Sequence, residues 1–93
     1  MDKNNWAFIG RLARDPKFSK HQTNNNYDRT SAILMVNWPN PNKAEAIPIV
    51  AWGARARNLA QHGEKGVEMY VEGYMREGQA RLELHVHYMS FNK

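Results

Sequence analysis

Val67-Glu68-Met69-Tyr70-Val71-Glu72-Gly73-Tyr74-Met75-Arg76 is the most regular alternation in the chain. Val67, Met69, Val71 and Met75 fall on one face of an extended segment, and Glu68, Tyr70, Glu72, Tyr74 and Arg76 on the other. A period of two with one apolar face describes a half-buried antiparallel strand. Glu77-Gly78-Gln79 then supplies a tight turn, and Arg81 to Ser90 alternates again. Leu82, Leu84, Val86 and Tyr88 are expected inward and Arg81, Glu83, His85 and His87 outward, so the two runs predict a hairpin.

Upstream of the Gly63-Glu64-Lys65-Gly66 turn, Ala54 to His62 has helical composition. Ala56, Leu59 and Ala60 form its apolar stripe, and Gly63 stands where a helix terminates. Before it, Glu45 to Trp52 predicts a strand with Ile47, Ile49 and Ala51 toward the core and Ala46, Pro48, Val50 and Trp52 on the opposite face. Pro39, Asn40, Pro41 and Asn42 make a loop, because two prolines remove ladder donors. Arg29 to Trp38 predicts another strand, apolar from Ala32 to Val36 and closed by Trp38. The polar stretch from Asp15 to Asp28, with Pro16, Ser19, Thr23 and Asn24-Asn25-Asn26, reads as a hairpin loop. The first strand runs from Asn5 to Ala13, with Trp6, Phe8 and Leu12 sharing a face and Gly10 marking a sharp bend. Three strands, one short helix and two strands, without repeats or βαβ alternation, predict an all-β fold: a five-stranded OB-fold barrel with one short helix between the third and fourth strands. A length of 93 residues predicts one domain over 1–93.

Composition narrows the function. Thirteen Lys and Arg against nine Asp and Glu leave a formal charge of +4, a basic excess that favours an anionic partner. The absence of cysteine excludes disulfides, thiolate zinc sites and cysteine nucleophiles. No apolar run approaches the roughly 18 residues of a membrane span, and Met1 to Asn5 lacks the build of a signal peptide, so the expected location is cytoplasmic with no membrane contact.

An OB barrel takes oligonucleotides or oligosaccharides on its exposed middle strands, so the site must decide the ligand. Holding single strands irrespective of sequence takes flat rings for bases and positive charge for phosphates. Trp52, Trp38, Tyr70 and Tyr74 are the candidate rings; Arg11, Arg14, Lys17, Lys20, Arg29, Lys43, Arg55, Arg57, Arg76 and Arg81 are the candidate cations. Trp38 and Trp52 also fit as caps on the barrel ends, and Tyr70 and Tyr74 as a subunit contact. Trp6, Phe8 and Phe91 lie in mostly apolar stretches and are expected in the core or an interface. Salt-insensitive binding would instead favour saccharide stacking on Trp38 and Trp52. Enzymatic signals are weak: His85 and His87 point the same way without a third metal ligand, Glu68 and Glu72 show no sign of burial, Gly63 to Gly66 is not a phosphate loop, and no serine sits in a nucleophile elbow. No metal, cofactor or catalytic residue is expected.

Ile9-Gly10-Arg11-Leu12-Ala13-Arg14-Asp15-Pro16, Val50-Ala51-Trp52-Gly53, Lys65-Gly66 and Tyr70-Val71-Glu72-Gly73, in that order, resemble the bacterial single-stranded DNA-binding protein family over about Asn4 to Val86. The resemblance implies an OB fold, single-stranded DNA as partner, a homo-oligomer (tetramer or dimer), a nucleoid-associated location, and service to replication, recombination and repair. It places Trp52 at a base-stacking position and Arg76 beyond the strand leading to a DNA-contacting hairpin. Ala46 departs from the pattern where many members carry a stacking tryptophan, and the short Glu77-Gly78-Gln79 turn omits a loop that usually carries another aromatic; Trp38 and Tyr74 are the candidate replacements. The sequence stops at Lys93 without the acidic tip of many relatives, so recruitment of proteins through a tail is not expected. A primosome-type relative, dimeric and acting as an assembly factor in replication restart, is the alternative within the resemblance.

Overall fold

Strand alternation decides which side chains meet, and the pairing register decides where the sheet closes. In the computed structural model, residues 4–20, 28–78 and 81–92 are described. The elements are β1 (Trp6–Leu12), β2 (Lys17–Lys20), β3 (Asp28–Val36), β4 (Glu45–Trp52), α1 (Ala54–His62), β5 (Glu68–Glu77) and β6 (Leu82–Asn92). The sheet order is β1-β5-β6-β4-β3-β2. A second pairing of β1, with Arg11 opposite Met35 and Leu12 opposite Leu34 on β3, joins the sheet to itself. Strands β1, β5, β6, β4 and β3 thereby close the five-stranded barrel expected, with α1 between its third and fourth strands in chain order. Gly10 is what lets the seam close: a Cβ there would stand 2.3 Å from the Met35 carbonyl oxygen, so only glycine admits β3 this close.

The core follows the expected inward faces. Leu34, Ile49, Ala51, Val71 and Leu84 are fully buried, with Leu12 and Met69 nearly so. Burying each large side chain stabilises by about 1.5–3 kcal/mol. Helix α1 adds Ala56 and Leu59 to this cluster, while Ala60 is only half-buried. Thr30, buried on β3, donates its hydroxyl proton to the Ala56 carbonyl at 2.7 Å and ties the helix to the barrel.

Four expectations need correction. The segment from Asp15 to Asp28 is not all loop: β2 pairs with β3 from Lys17 opposite Ser31 to Lys20 opposite Asp28, extending the sheet outside the barrel. All four β2 residues are exposed, so no apolar alternation announces it; the Asn24-Asn25-Asn26 run lies outside the described residues, as does Gln79 of the last turn. Strand β3 ends at Val36, so Trp38 stands on the following loop rather than closing the strand. Of the core-or-interface placement expected for Trp6, the core half fails: at the strand start it is 43% exposed, its ring stacked on Phe8 at 6.0 Å between centroids. Lastly, Tyr88 and Leu82 do not point into the core. The β5–β6 register shifts between Glu72, opposite Tyr88, and Gly73, opposite Val86, which leaves His87 as an extra residue on β6. The bulge inverts the phase of β6. Leu84 and Val86 face inward before it, Met89 and Phe91 pack on the core after it, and Tyr88 turns out to solvent at 50% exposed. Leu82, at the start of the strand, is also exposed.

Candidate nucleic-acid interface

The outer side of the sheet is assembled by register. Arg29 on β3 lies opposite Trp52 on β4, Val50 on β4 lies beside His85 on β6, and His85 lies opposite Tyr74 on β5. These pairings bring Arg29, Trp52, His85 and Tyr74 onto one surface. Trp52 is 37% and Tyr74 40% exposed, as their places on the outward faces require. The Arg29 guanidinium carbon lies 5.6 Å from the Trp52 ring centroid, within the range of a cation–π attraction. The Trp52 indole N–H donates to Nδ1 of His85 at 3.3 Å, and the two rings are within 19° of parallel. An indole N–H lies in its ring plane, so this bond sets the rings edge to edge as a widened flat surface.

The aromatic surface continues past the bulge. Tyr74 packs on His87 at 5.1 Å between centroids, and His87 Nε2 lies 3.5 Å from Glu72. Arg55, at the start of α1, donates from Nε to the His87 carbonyl at 2.7 Å. Tyr70 and Tyr88 meet edge to face at 6.1 Å. Tyr70 also donates its hydroxyl proton to Glu72, and that acceptor holds the phenol above the ordinary tyrosine range.

Beside Trp52 the sheet carries an open groove of about 920 Å³ lined by Arg14, Lys17, Arg29 and Arg81, over a partly apolar floor of Ile33, Pro48 and Val50. Arg29 belongs to both the groove and the aromatic surface. Glu83 tempers the cations: it lies 3.9 Å from Arg29 and 3.3 Å from His85 Nε2. The arrangement offers flat rings on one side and Arg14, Lys17 and Arg81 on the other, with Arg29 between them.

Other candidates lie elsewhere. Trp38, 59% exposed, and Arg11 line a second cleft of about 560 Å³ with Trp6, Ile9 and Met35, where β1 meets β3. Arg11 donates to the Gly66 carbonyl at 2.9 Å there. The structure therefore does not bring Trp38 to Trp52. Lys20 and Lys43 are exposed but line neither hollow, Arg76 stands opposite Glu83 on the neighbouring strand, and Arg57 binds Asp28 at 2.8 Å. His85, His87 and Tyr88 were not among the expected site residues. The histidines share the outward phase of β6, which was legible, and they meet Tyr74 across the expected β5–β6 hairpin, but the link of His85 to Trp52 depends on a parallel β4–β6 pairing that no local pattern reveals.

A closed five-stranded antiparallel barrel with one parallel contact, a helix at the expected point in the chain, and a ring-bearing sheet face beside a cationic groove defines an OB fold of the oligonucleotide-suited class. Residues 3–87 match the Single-strand binding protein family, and the chain belongs to that family. It is 29% identical over 90 residues to Single-stranded DNA-binding protein 2 of Streptococcus agalactiae, covering 94% of this chain and 69% of that one. To Single-stranded DNA-binding protein 1 of Clostridium acetobutylicum it is 31% identical over 77 residues, covering 78% and 70%. The SSB domain of a Synechococcus protein shares the fold with a TM-score of 0.83 at 19% identity, covering 96% of both chains. The single-stranded DNA binding protein of Thermus aquaticus gives the same TM-score and identity, covering 97% of this chain and 40% of its own.

Proposed function

We infer that the chain binds single-stranded DNA irrespective of sequence, holding bases on Trp52 and its neighbours and phosphates along the groove of Arg14, Lys17, Arg29 and Arg81. The observation that carries this reading is the continuity of the two surfaces through Arg29, which contacts the Trp52 ring and lines the cationic groove. Every base has a stacking face and every nucleotide a charge, so a surface offering both without a donor–acceptor code binds strands and not sequences. Membership of the family and the names of the relatives support the same ligand. The role is protection of single strands in replication, recombination or repair, carried out as a homo-oligomer and by binding, not by catalysis. Tyr74, Tyr70 and Arg55 extend the surface; Trp38 and Arg11 form a separate patch that a longer strand reaches in wrapping the barrel. No helix among the described residues is long and apolar enough to cross a membrane.

Trp52→Ala tests the reading. Loss of one stacked base is expected to weaken oligo-dT binding by about 1–3 kcal/mol in a fluorescence-anisotropy titration, with the thermal unfolding midpoint nearly unchanged because the ring lies on the solvent side. Undiminished affinity removes Trp52 from the interface.

A further inference from the structure

We propose that His85 is a positioning residue for Trp52: its neutral imidazole helps fix the indole plane on the outer face, and protonation breaks that bond. The proposal rests on the single-strand reading for its consequence, though not for the contact itself. Tryptophan has only a donor at Nε1, so the 3.3 Å bond to His85 requires Nδ1 to carry a lone pair. The remaining proton then sits on Nε2, 3.3 Å from Glu83 Oε1. The bond to Trp52 thus selects one tautomer. Nδ1 accepts from Trp52, Nε2 lies beside Glu83, and the near-parallel rings present one surface. Adding a proton at Nδ1 sets two donors against each other and breaks the bond to Trp52.

Charged groups of both signs surround His85. On β6 the neighbours are Glu83 and His87; on β5 they are Tyr74 opposite His85, Arg76 opposite Glu83, and Glu72 beside His87. From β3 Arg29 reaches both Trp52 and Glu83, Arg81 lies along the same groove as Glu83, and from α1 Arg55 holds the His87 carbonyl. Histidine is the side chain that ordinarily gains a proton on mild acidification, so a pH series probes the contact. Protonation has two effects on a bound strand. It adds a charge that attracts phosphate and it removes His85's hold on the stacking ring, and molar salt suppresses the first while leaving the second.

Two measurements on the full chain decide it. The first uses no DNA: in a chain carrying Trp6→Phe and Trp38→Phe, Trp52 emission is expected to change on acidification from about pH 8 to 5. Adding His85→Asn, which keeps an acceptor at the Nδ1 position but does not titrate, is expected to flatten that curve. The second is oligo-dT affinity at molar salt. There His85→Ala is expected to weaken binding about two- to tenfold at pH 8, the range of one neutral hydrogen bond. Lowering the pH is expected to cost the unsubstituted chain a similar factor, and His85→Asn is expected to bind as the unsubstituted chain at pH 8 with no pH response. Emission that ignores pH, or that titrates equally in His85→Asn, overturns the contact. Equal affinity of His85→Ala and the unsubstituted chain overturns the positioning role. Absence of any oligo-dT binding instead rejects the single-strand reading and the positioning role with it, while the emission curves still decide the contact.

Discussion

Trp52 and Trp38 differ in how far their neighbours in sequence determine them. Trp52 ends a strand whose inward residues are Ile49 and Ala51, so alternation alone puts its ring outside. Its use as a platform depends on Arg29 and His85, which lie 23 and 33 residues away and arrive only through pairing. Trp38 follows a strand end by two residues, where alternation no longer applies, and the loop carries it to the β1–β3 seam. Tyr70 gives a titration to measure at this scale. Its O–H donates to Glu72, chiefly for which its ionisation lies above the ordinary 10.0. A raised folded-state value means the pairing supports the fold below about pH 10 and that this support is lost as pH rises through the folded-state ionisation. Ultraviolet titration should show one late-ionising tyrosine that disappears in Tyr70→Phe, and an unchanged titration curve in that variant contradicts the assignment.

Elements were legible where burial imposed a pattern and illegible where backbone pairing alone made them. Strands β1, β4 and β5 and helix α1 fall within a residue or two of their expected limits, because each has an apolar face or stripe that must meet the core. Strand β2 has none and owes its form to the free edge of β3. The bulge in the last hairpin left a trace in the sequence: the large apolar residues change from even positions, Leu84 and Val86, to odd ones, Met89 and Phe91. An unbroken alternation through Tyr88 overlooks that change of phase. Gly73 is the residue the bulge depends on, since a Cβ there would meet the His85 carbonyl oxygen at 2.1 Å. Gly73→Ala is expected to destabilise by about 1–3 kcal/mol or more in chemical denaturation, as forced overpacking does, and to disturb His85 and Tyr74 with it. A variant of unaltered denaturation midpoint would show that the two strands separate there without cost.

For the molecule as a whole, stability and binding use opposite sides of the same strands. Leu34→Ala, at the centre of the cluster, is expected to cost about 2–5 kcal/mol, measurable as a lowered denaturant midpoint; a loss well under 1 kcal/mol would mean the barrel repacks freely. Binding is expected to weaken with salt along a log–log slope of about −0.7 for each phosphate neutralised. Arg81→Ala, which removes one groove cation, should reduce that slope by about 0.7, and a slope left unchanged places phosphate outside the groove. Amide chemical-shift mapping during titration with oligo-dT tests the outer face most directly. Perturbations are expected to cluster at Lys17, Arg29, Trp52, Tyr74 and His85, running from β2 across β3, β4 and β6 to β5. Perturbations confined to the exposed side of α1, or to the Trp6–Trp38 cleft with Trp52 and Arg29 unmoved, would contradict it.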